Sequence, residues 1–239
     1  MLSDVESSGV HELLLDPARW TPLQLPDTEG RMFVFQDDNA RISHESGRCV
    51  ITIPTFSLKH DSEQMLDNGK VLLIFDKALA ISNEGGLDVQ STISVEPHGT
   101  YTGDYRDGVA SLTLFDPRSG YVFDWFVTPD RAYALHERLA VEAVEAQETF
   151  SHVVDDPFQE SVTNGRRKCR VRLDWACGHV EWFLDGKRQY LVRVGADRPS
   201  SINVGLGIFT LRPVGPNGST CVVGQGLTGN WYDLKVTRF

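Results

Sequence analysis

The sequence predicts an all-β protein, an antiparallel β-sandwich or barrel with few short helices. Three observations support this. About a dozen short runs rich in β-branched and aromatic residues recur along the 239 residues. Each is bounded by Gly, Pro, Asp or Asn clusters, as strands are. Helical candidates are few. Regular short strands between turn signals fit a sandwich or barrel better than βαβ units.

Taken in order, Val5 to Leu15 reads as a short N-terminal helical turn. Strands follow at Arg31–Phe35, Cys49–Ile53, Val71–Phe75 and Leu87–Val95. Val109–Phe115 (VASLTLF), Tyr121–Val127 (YVFDWFV) and Ala132–Leu139 (AYALHERL) come next. Asp116-Pro117-Arg118-Ser119-Gly120 is a Pro-nucleated turn ending in Gly, and Thr128 to Arg131 reverses the chain again. These two turns predict an antiparallel meander from about residue 109 to 140. Leu139 to Gln147 (LAVEAVEAQ) holds good helix formers, with Glu142, Glu145 and Glu148 on a solvated face. Asn164 to Lys168 (NGRRK) reads as a small basic loop, solubilising rather than phosphate-binding. The last strands are Arg170–Trp175, Val180–Leu184, Gln189–Val194, Ile202–Leu211 and Trp231–Thr237. Asp185-Gly186 between the second and third of these is a type I′ hairpin signal. With no repeat, low-complexity tract or linker, residues 1–239 are expected to form one domain.

Composition excludes several function classes. There are 23 basic against 33 acidic residues, a formal net charge of −10. A chain this acidic lacks the basic surplus that phosphate neutralisation requires, so no nucleic-acid partner is expected. No apolar run approaches the ~20 residues that span a bilayer, so no membrane is expected either. Residues 1–10 (MLSDVESSGV) show no basic or apolar leader pattern, which suggests a cytoplasmic protein. Cys49, Cys169, Cys177 and Cys221 form neither a CxxC pair nor a zinc spacing, and read as free thiols. Cys169 and Cys177 share the parity of one strand, so both are expected to point inward.

The segment from Arg170 to Val194 resembles a hairpin of the concanavalin A-like lectin/glucanase superfamily. The matching positions are Val171, Leu173 and Trp175, then Val180, Trp182, Phe183, Leu184, Asp185 and Gly186. Ser201–Phe209 resembles the penultimate strand of that fold, and Trp231–Phe239 the closing strand that returns beside the N-terminus. The resemblance implies a jelly-roll sandwich. The text from Asp107 to Leu139 is similar to uncharacterised actinobacterial proteins of like length, a likeness that conveys no activity.

Jelly-roll glucanases carry Glu-x-Asp-x-Glu on one strand, which alternation places on the concave face. The strand in the corresponding region, Tyr121–Val127, holds one carboxylate, Asp124, and no other strand carries the triplet. A weaker pair is available. If Thr128 pairs with Arg131, Asp124 faces Leu135 and Glu137 lies diagonally on the same face. Diagonal Cβ atoms lie ~7–8 Å apart, near the ~6.5–9.5 Å carboxyl spacing of inverting glycosidases. Tyr133 shares that face; Tyr121, Phe123, Trp125, His136 and Arg138 take the other. Asp124, Glu137, His136 and Tyr133 are thus the candidate catalytic residues, with Trp125, Tyr121, Arg138, Tyr101 and Trp182 as candidate ligand contacts. Each has a plainer counterpart: a structural hydrogen bond for Asp124, a surface ion pair for Glu137, a bonded strand histidine for His136, and core for the tryptophans. His179 and Glu181 alternate on one strand but make an incomplete metal site. Gly205-Leu206-Gly207 and Gly224-Gln225-Gly226 do not open helices, so no nucleotide loop and no cofactor is implied.

Two function classes follow. The first is a cofactor-independent cyclase or isomerase that shapes a hydrophobic, polyketide-like natural product in a cavity of the sandwich. It rests on analogy of size and context. The alternatives are a lectin-like carbohydrate-binding protein or a divergent glycoside hydrolase. A deep apolar cavity between the sheets favours the first; an open groove favours the others.

Overall fold

The computed structural model describes residues 10–12, 16–26, 30–45, 47–57, 69–99, 103–154, 165–212, 214–215, 218–219 and 225–239. Two eight-stranded antiparallel sheets face each other across one large apolar core. The first sheet runs β16 (Lys187–Arg193), β15 (His179–Leu184), β14 (Arg166–Asp174), β9 (Gly86–His98), β20 (Gly226–Arg238), β6 (Arg48–Ile53) and β5 (Arg41–Glu45). The short β1 (Val10–Glu12) pairs with β20. The second sheet runs β13 (Phe150–Val153), β12 (Ala132–Arg138), β11 (Tyr121–Val127), β10 (Val109–Phe115), β17 (Ser201–Phe209), β7 (Gly69–Phe75) and β2 (Trp20–Pro22). The short β8 (Leu79–Ala80) pairs with β17. Two small hairpins complete the strands: β3 (Gln24–Pro26) with β4 (Met32–Val34), and β18 (Val214–Gly215) with β19 (Gly218–Ser219).

The turns act as their chemistry requires. Asp185 and Gly186 both have positive φ, 50° and 86°, the pair that a type I′ hairpin needs. Gly120 closes the β10–β11 turn at φ 75°, where a Cβ would sit 2.5 Å from the Leu139 carbonyl oxygen. The meander therefore forms in the expected register, with Thr113 opposite Asp124 and Asp124 opposite Leu135.

Strands β14 and β15 alternate buried and open positions, so the first sheet exposes one face. β10 and β11 are buried at every position. Their inner residues join the main core, and their outer residues form a second cluster with Phe35, Leu72 and Phe209. Leu23, Leu25 and Phe33 of the N-terminal segment pack onto that cluster.

Four indoles fill the space between the sheets. Trp125, Trp175, Trp182 and Trp231 are all buried. Three of them donate across the interface: Trp125 to the Arg170 carbonyl (3.0 Å), Trp182 to the Asp124 carbonyl (2.9 Å) and Trp231 to the Ser111 carbonyl (2.9 Å). A buried indole N–H that finds a carbonyl avoids the desolvation cost of an unpaired donor.

Several local expectations are corrected. Residues 10–12 pair as strand β1 with 235–237 rather than coiling, while 1–9 and 13–15 lie outside the described residues. Of Leu139 to Gln147, only Ala146 and Gln147 coil, in the single 3₁₀ turn Ala146–Glu148. Such a segment is too short to repay helix nucleation. Arg166–Lys168 belong to β14, not to a loop, and Arg167 is buried. Cys169 points inward, but β14 ends at Asp174 and leaves Cys177 exposed in the following turn. Cys221 lies outside the described residues. Burial pushes the Cys49 thiol up to about 12, so it stays protonated and inert.

Candidate functional site

One pocket lies on the outer face of the second sheet. Its wall is apolar, made by Leu72, Phe115, Val122, Phe126, Leu135 and Phe209. Its polar groups are Thr113, Asp124 and Glu137. The free volume is about 20 Å³, roughly the space of one water molecule.

Strand alternation and register bring the two carboxylates together. Asp124 on β11 pairs with Leu135, and Glu137 on β12 pairs with Val122, so the acids are diagonal neighbours on one face. Asp124 is 2% exposed and Glu137 8%. A carboxylate buried this deeply must be hydrogen-bonded. The Thr113 hydroxyl donates to Asp124 Oδ2 at 2.9 Å, and the Leu114 N–H reaches Oδ1 at 3.2 Å. Ser111 Oγ lies 2.9 Å from Thr113 Oγ1 and extends the chain of hydroxyls. The Asp124 backbone is pinned from behind by Trp182. Asp124 thus makes the structural bond to a backbone amide that its burial demands.

Two glycines shape the floor. Gly205 and Gly207 of β17 stand opposite Thr113 and Ser111. A Cβ on Gly207 would come within 2.3 Å of the Phe209 ring, and one on Gly205 within 2.8 Å of Leu72. Their missing side chains let Leu72 and Phe209 lie over the sheet as pocket wall.

The nine residues singled out from the sequence divide into separate groups. Asp124 and Glu137 meet in the pocket. Tyr133 shares their face and its apolar cluster, yet its hydroxyl donates to the Gly103 carbonyl at 3.0 Å and its ring packs on Tyr105. It holds the 103–107 segment rather than lining the pocket. His136 lies on the face opposite Asp124, as the expected register places it, among Tyr121, Phe123, Phe150 and Trp182. Residue parity separates the two groups by the thickness of the sheet. Desolvation, aided by His152 across the strand pair, holds the His136 imidazole down to about 4. Trp125 and Trp182 are core indoles rather than ligand contacts. Arg138 lies over the Tyr121 ring, forms an ion pair with Asp197 at 2.7 Å and donates to the Ser119 carbonyl. Tyr101 lies outside the described residues.

Thr113 and Ser111 were not singled out in the sequence, and Gly205 and Gly207 were read only as part of a strand. A signal existed: Ser and Thr alternating within an apolar strand, in a register that the Asp116–Gly120 turn defines. Among the described residues no cluster of three or more His, Cys, Asp or Glu side chains could hold a metal. None of their helices is long and apolar enough to cross a membrane.

Two stacked antiparallel sheets of this topology define a concanavalin A-like jelly roll, and solved structures share it. The catalytic domain of an endo-1,3-beta-glucanase (laminarinase) from Thermotoga petrophila RKU-1 aligns at a TM-score of 0.56 and 11% identity, covering 96% of this chain and 95% of that one. A Bacteroides ovatus mixed linkage glucan GH16 structure in complex with its G4G4G3G product aligns at 0.56 and 10%, covering 97% and 99%. The PL7 alginate lyase AlyA1 from Zobellia galactanivorans aligns at 0.51 and 14%, covering 92% and 95%. At these identities the likeness is one of fold. The chain itself belongs to DUF6081, a family of unknown function, whose model matches residues 21–238. No curated protein matches it in sequence.

Proposed function

We propose that this protein is a divergent glycoside hydrolase in which Asp124 and Glu137 act as an acid–base pair on an oligosaccharide. The observation that carries this reading is the convergence of two buried carboxylates, from adjacent strands, on one pocket with room for a single water. Inverting hydrolysis needs those parts: one carboxyl to protonate the leaving oxygen, and one carboxylate to activate a water on the opposite side of the sugar. Asp124, fixed by the Thr113 hydroxyl and the Leu114 amide, is suited to the base. Glu137, the more exposed of the two, is the acid. Phe115, Phe126 and Phe209, all buried, keep the wall beside the two carboxylates apolar. The fold relatives include a laminarinase and a structure with a mixed-linkage glucan product, which supports a glycan as substrate.

A cyclase acting on a hydrophobic chain would need a cavity sized for that chain. The four indoles occupy the interlayer space in which such a cavity would lie. No observation favours that reading over the first.

The test is release of reducing ends from laminarin and mixed-linkage glucan, with the anomeric proton followed by NMR. The wild type should release product of inverted configuration, and Asp124→Asn and Glu137→Gln should each lose at least about 100-fold. Retained configuration, or unchanged rates in both variants, would overturn the assignment.

A further inference from the structure

One edge of the second sheet is formed by β13, whose four residues pair with β12 alone among the described residues. None of the four is fully buried, and Phe150 is 40% exposed. A strand with so little buried side chain is held to the sandwich weakly. Register sets His152 directly opposite His136, and Ser151 opposite Glu137. Phe150 meets the His136 ring edge-on at 4.7 Å, and His152 lies 6.1 Å from Tyr190 of β16. The His136 imidazole is thus a seat on which this edge strand rests.

The groups around that imidazole decide how it responds to acid. Tyr121 and Phe123 come from β11, Trp182 from β15, and Phe150 and His152 from β13. Tyr190 of β16 packs on Trp182, and burial pushes its phenol up, so it stays neutral. Arg138, two positions along β12, holds the carboxylates of Asp197 and Glu148 at 2.7 and 3.7 Å. The Tyr121 hydroxyl also donates to Asp197, at 3.4 Å. Among the described residues no carboxylate pairs with His136, and its Nε2 is buried with no hydrogen-bond partner. In an imidazolium both ring nitrogens are donors. A proton on His136 would place an unmet, charged donor beneath β13, with His152 adding like-charge repulsion from across the strand pair.

We propose that β13 is an acid-released latch: a proton taken up by His136 frees Phe150–Val153 from β12 while the rest of both sheets stays folded. Once released, the imidazole meets water and gains the hydrogen bonds that its seat denies it. Burial holds it down to about 4 when seated, against 6.5 when free. Attachment is therefore fully supported above about pH 6.5 and weakens as pH falls toward 4. At pH 5 the difference multiplies the released population roughly thirtyfold, and partial solvent access brings the expectation to at least about tenfold. Release also unpairs Ser151 from Glu137, so the backbone beside the pocket carboxylate loses its neighbour. The latch stands whether or not that pocket acts on a glycan.

The experiment is amide hydrogen exchange on the full chain, read by NMR at about pH 7 and about pH 5 and corrected for the intrinsic exchange rate. The amides of β13, and that of Val154 on the Ala134 carbonyl, should be less protected than those of β10 and β17 at both values. Their protection should fall at least about tenfold between the two. His136→Phe keeps the ring contacts and should lose most of that fall. Equal protection of β13 and the central strands would mean that β13 opens only with the whole molecule, and overturns the proposal. Unchanged protection in the wild type overturns it too, as does a full fall in His136→Phe. Should that variant not fold, the His136 ring signals of the wild type decide. Proton uptake near pH 6.5 with β13 still protected overturns the proposal; uptake below about pH 5 that tracks the loss of β13 protection supports it.

Discussion

His136→Phe tests the placement of that imidazole between the sheets. Its ring lies 5.6 Å from Phe123, 4.7 Å from Phe150 and 6.3 Å from Trp182, and its Nε2 is buried with no hydrogen-bond partner among the described residues. Burial favours the neutral form, so its proton affinity falls from 6.5 in the unfolded chain to about 4 in the folded one. The unfolded state then takes up a proton that the folded state refuses. The stability linked to this site is fully present above about pH 6.5 and is lost as pH falls toward 4. At pH 5 the whole shift would amount to about 2 kcal/mol; partial solvent access reduces this to about 1–2 kcal/mol. Phenylalanine keeps the ring contacts and removes the titration. Urea denaturation at pH 7.5 and pH 5 should therefore show the wild type losing about 1–2 kcal/mol more than His136→Phe over that interval. Parallel losses would show that the imidazole is hydrated in the folded state and refute the reasoning.

Two further substitutions probe the parts that support the pocket. Trp182→Phe removes the indole N–H that reaches the Asp124 carbonyl and leaves a void between the sheets; equilibrium unfolding should show a loss of about 2–4 kcal/mol. Gly207→Ala would place a Cβ 2.3 Å from the Phe209 ring and 3.0 Å from the Val71 carbonyl oxygen, displacing a pocket wall. Unfolding should record about 1–3 kcal/mol of destabilisation, whereas Gly103→Ala, where the nearest atom to the new Cβ lies 3.8 Å away, should lose less.

The sandwich was legible in the sequence because turn chemistry is local. Asp185-Gly186 and the Asp116–Gly120 turn each determine a register, and a register determines which side chains share a face. That is why Asp124, Glu137 and Tyr133 could be grouped on one side and His136, Trp125 and Tyr121 on the other. What parity leaves open is what covers each face. VASLTLF and YVFDWFV read as nearly unbroken apolar runs because both of their faces are buried, one by the facing sheet and one by Phe35, Leu72 and the residues packed on them. The partners on the outer face come from residues 23–35, about 90 residues earlier in the chain, a contact that no local pattern encodes. Short elements such as β1 and β13 were missed for the same reason. Three or four residues acquire strand geometry from the neighbour they pair with rather than from propensity. The glycines of β17 illustrate the reverse case: Gly205-Leu206-Gly207 was legible as strand, but its purpose emerges only beside Leu72 and Phe209.

The most direct test of the proposed site is a titration of 13C-methyl-labelled protein with laminarin-derived and mixed-linkage oligosaccharides, followed by NMR. The account predicts shifts concentrated on the methyl groups of Leu72, Val122 and Leu135, which line the carboxylate pocket, and their loss in the Asp124→Asn, Glu137→Gln double variant. Shifts confined to the open face of the first sheet, around Leu191, or none at saturating glycan, would contradict it.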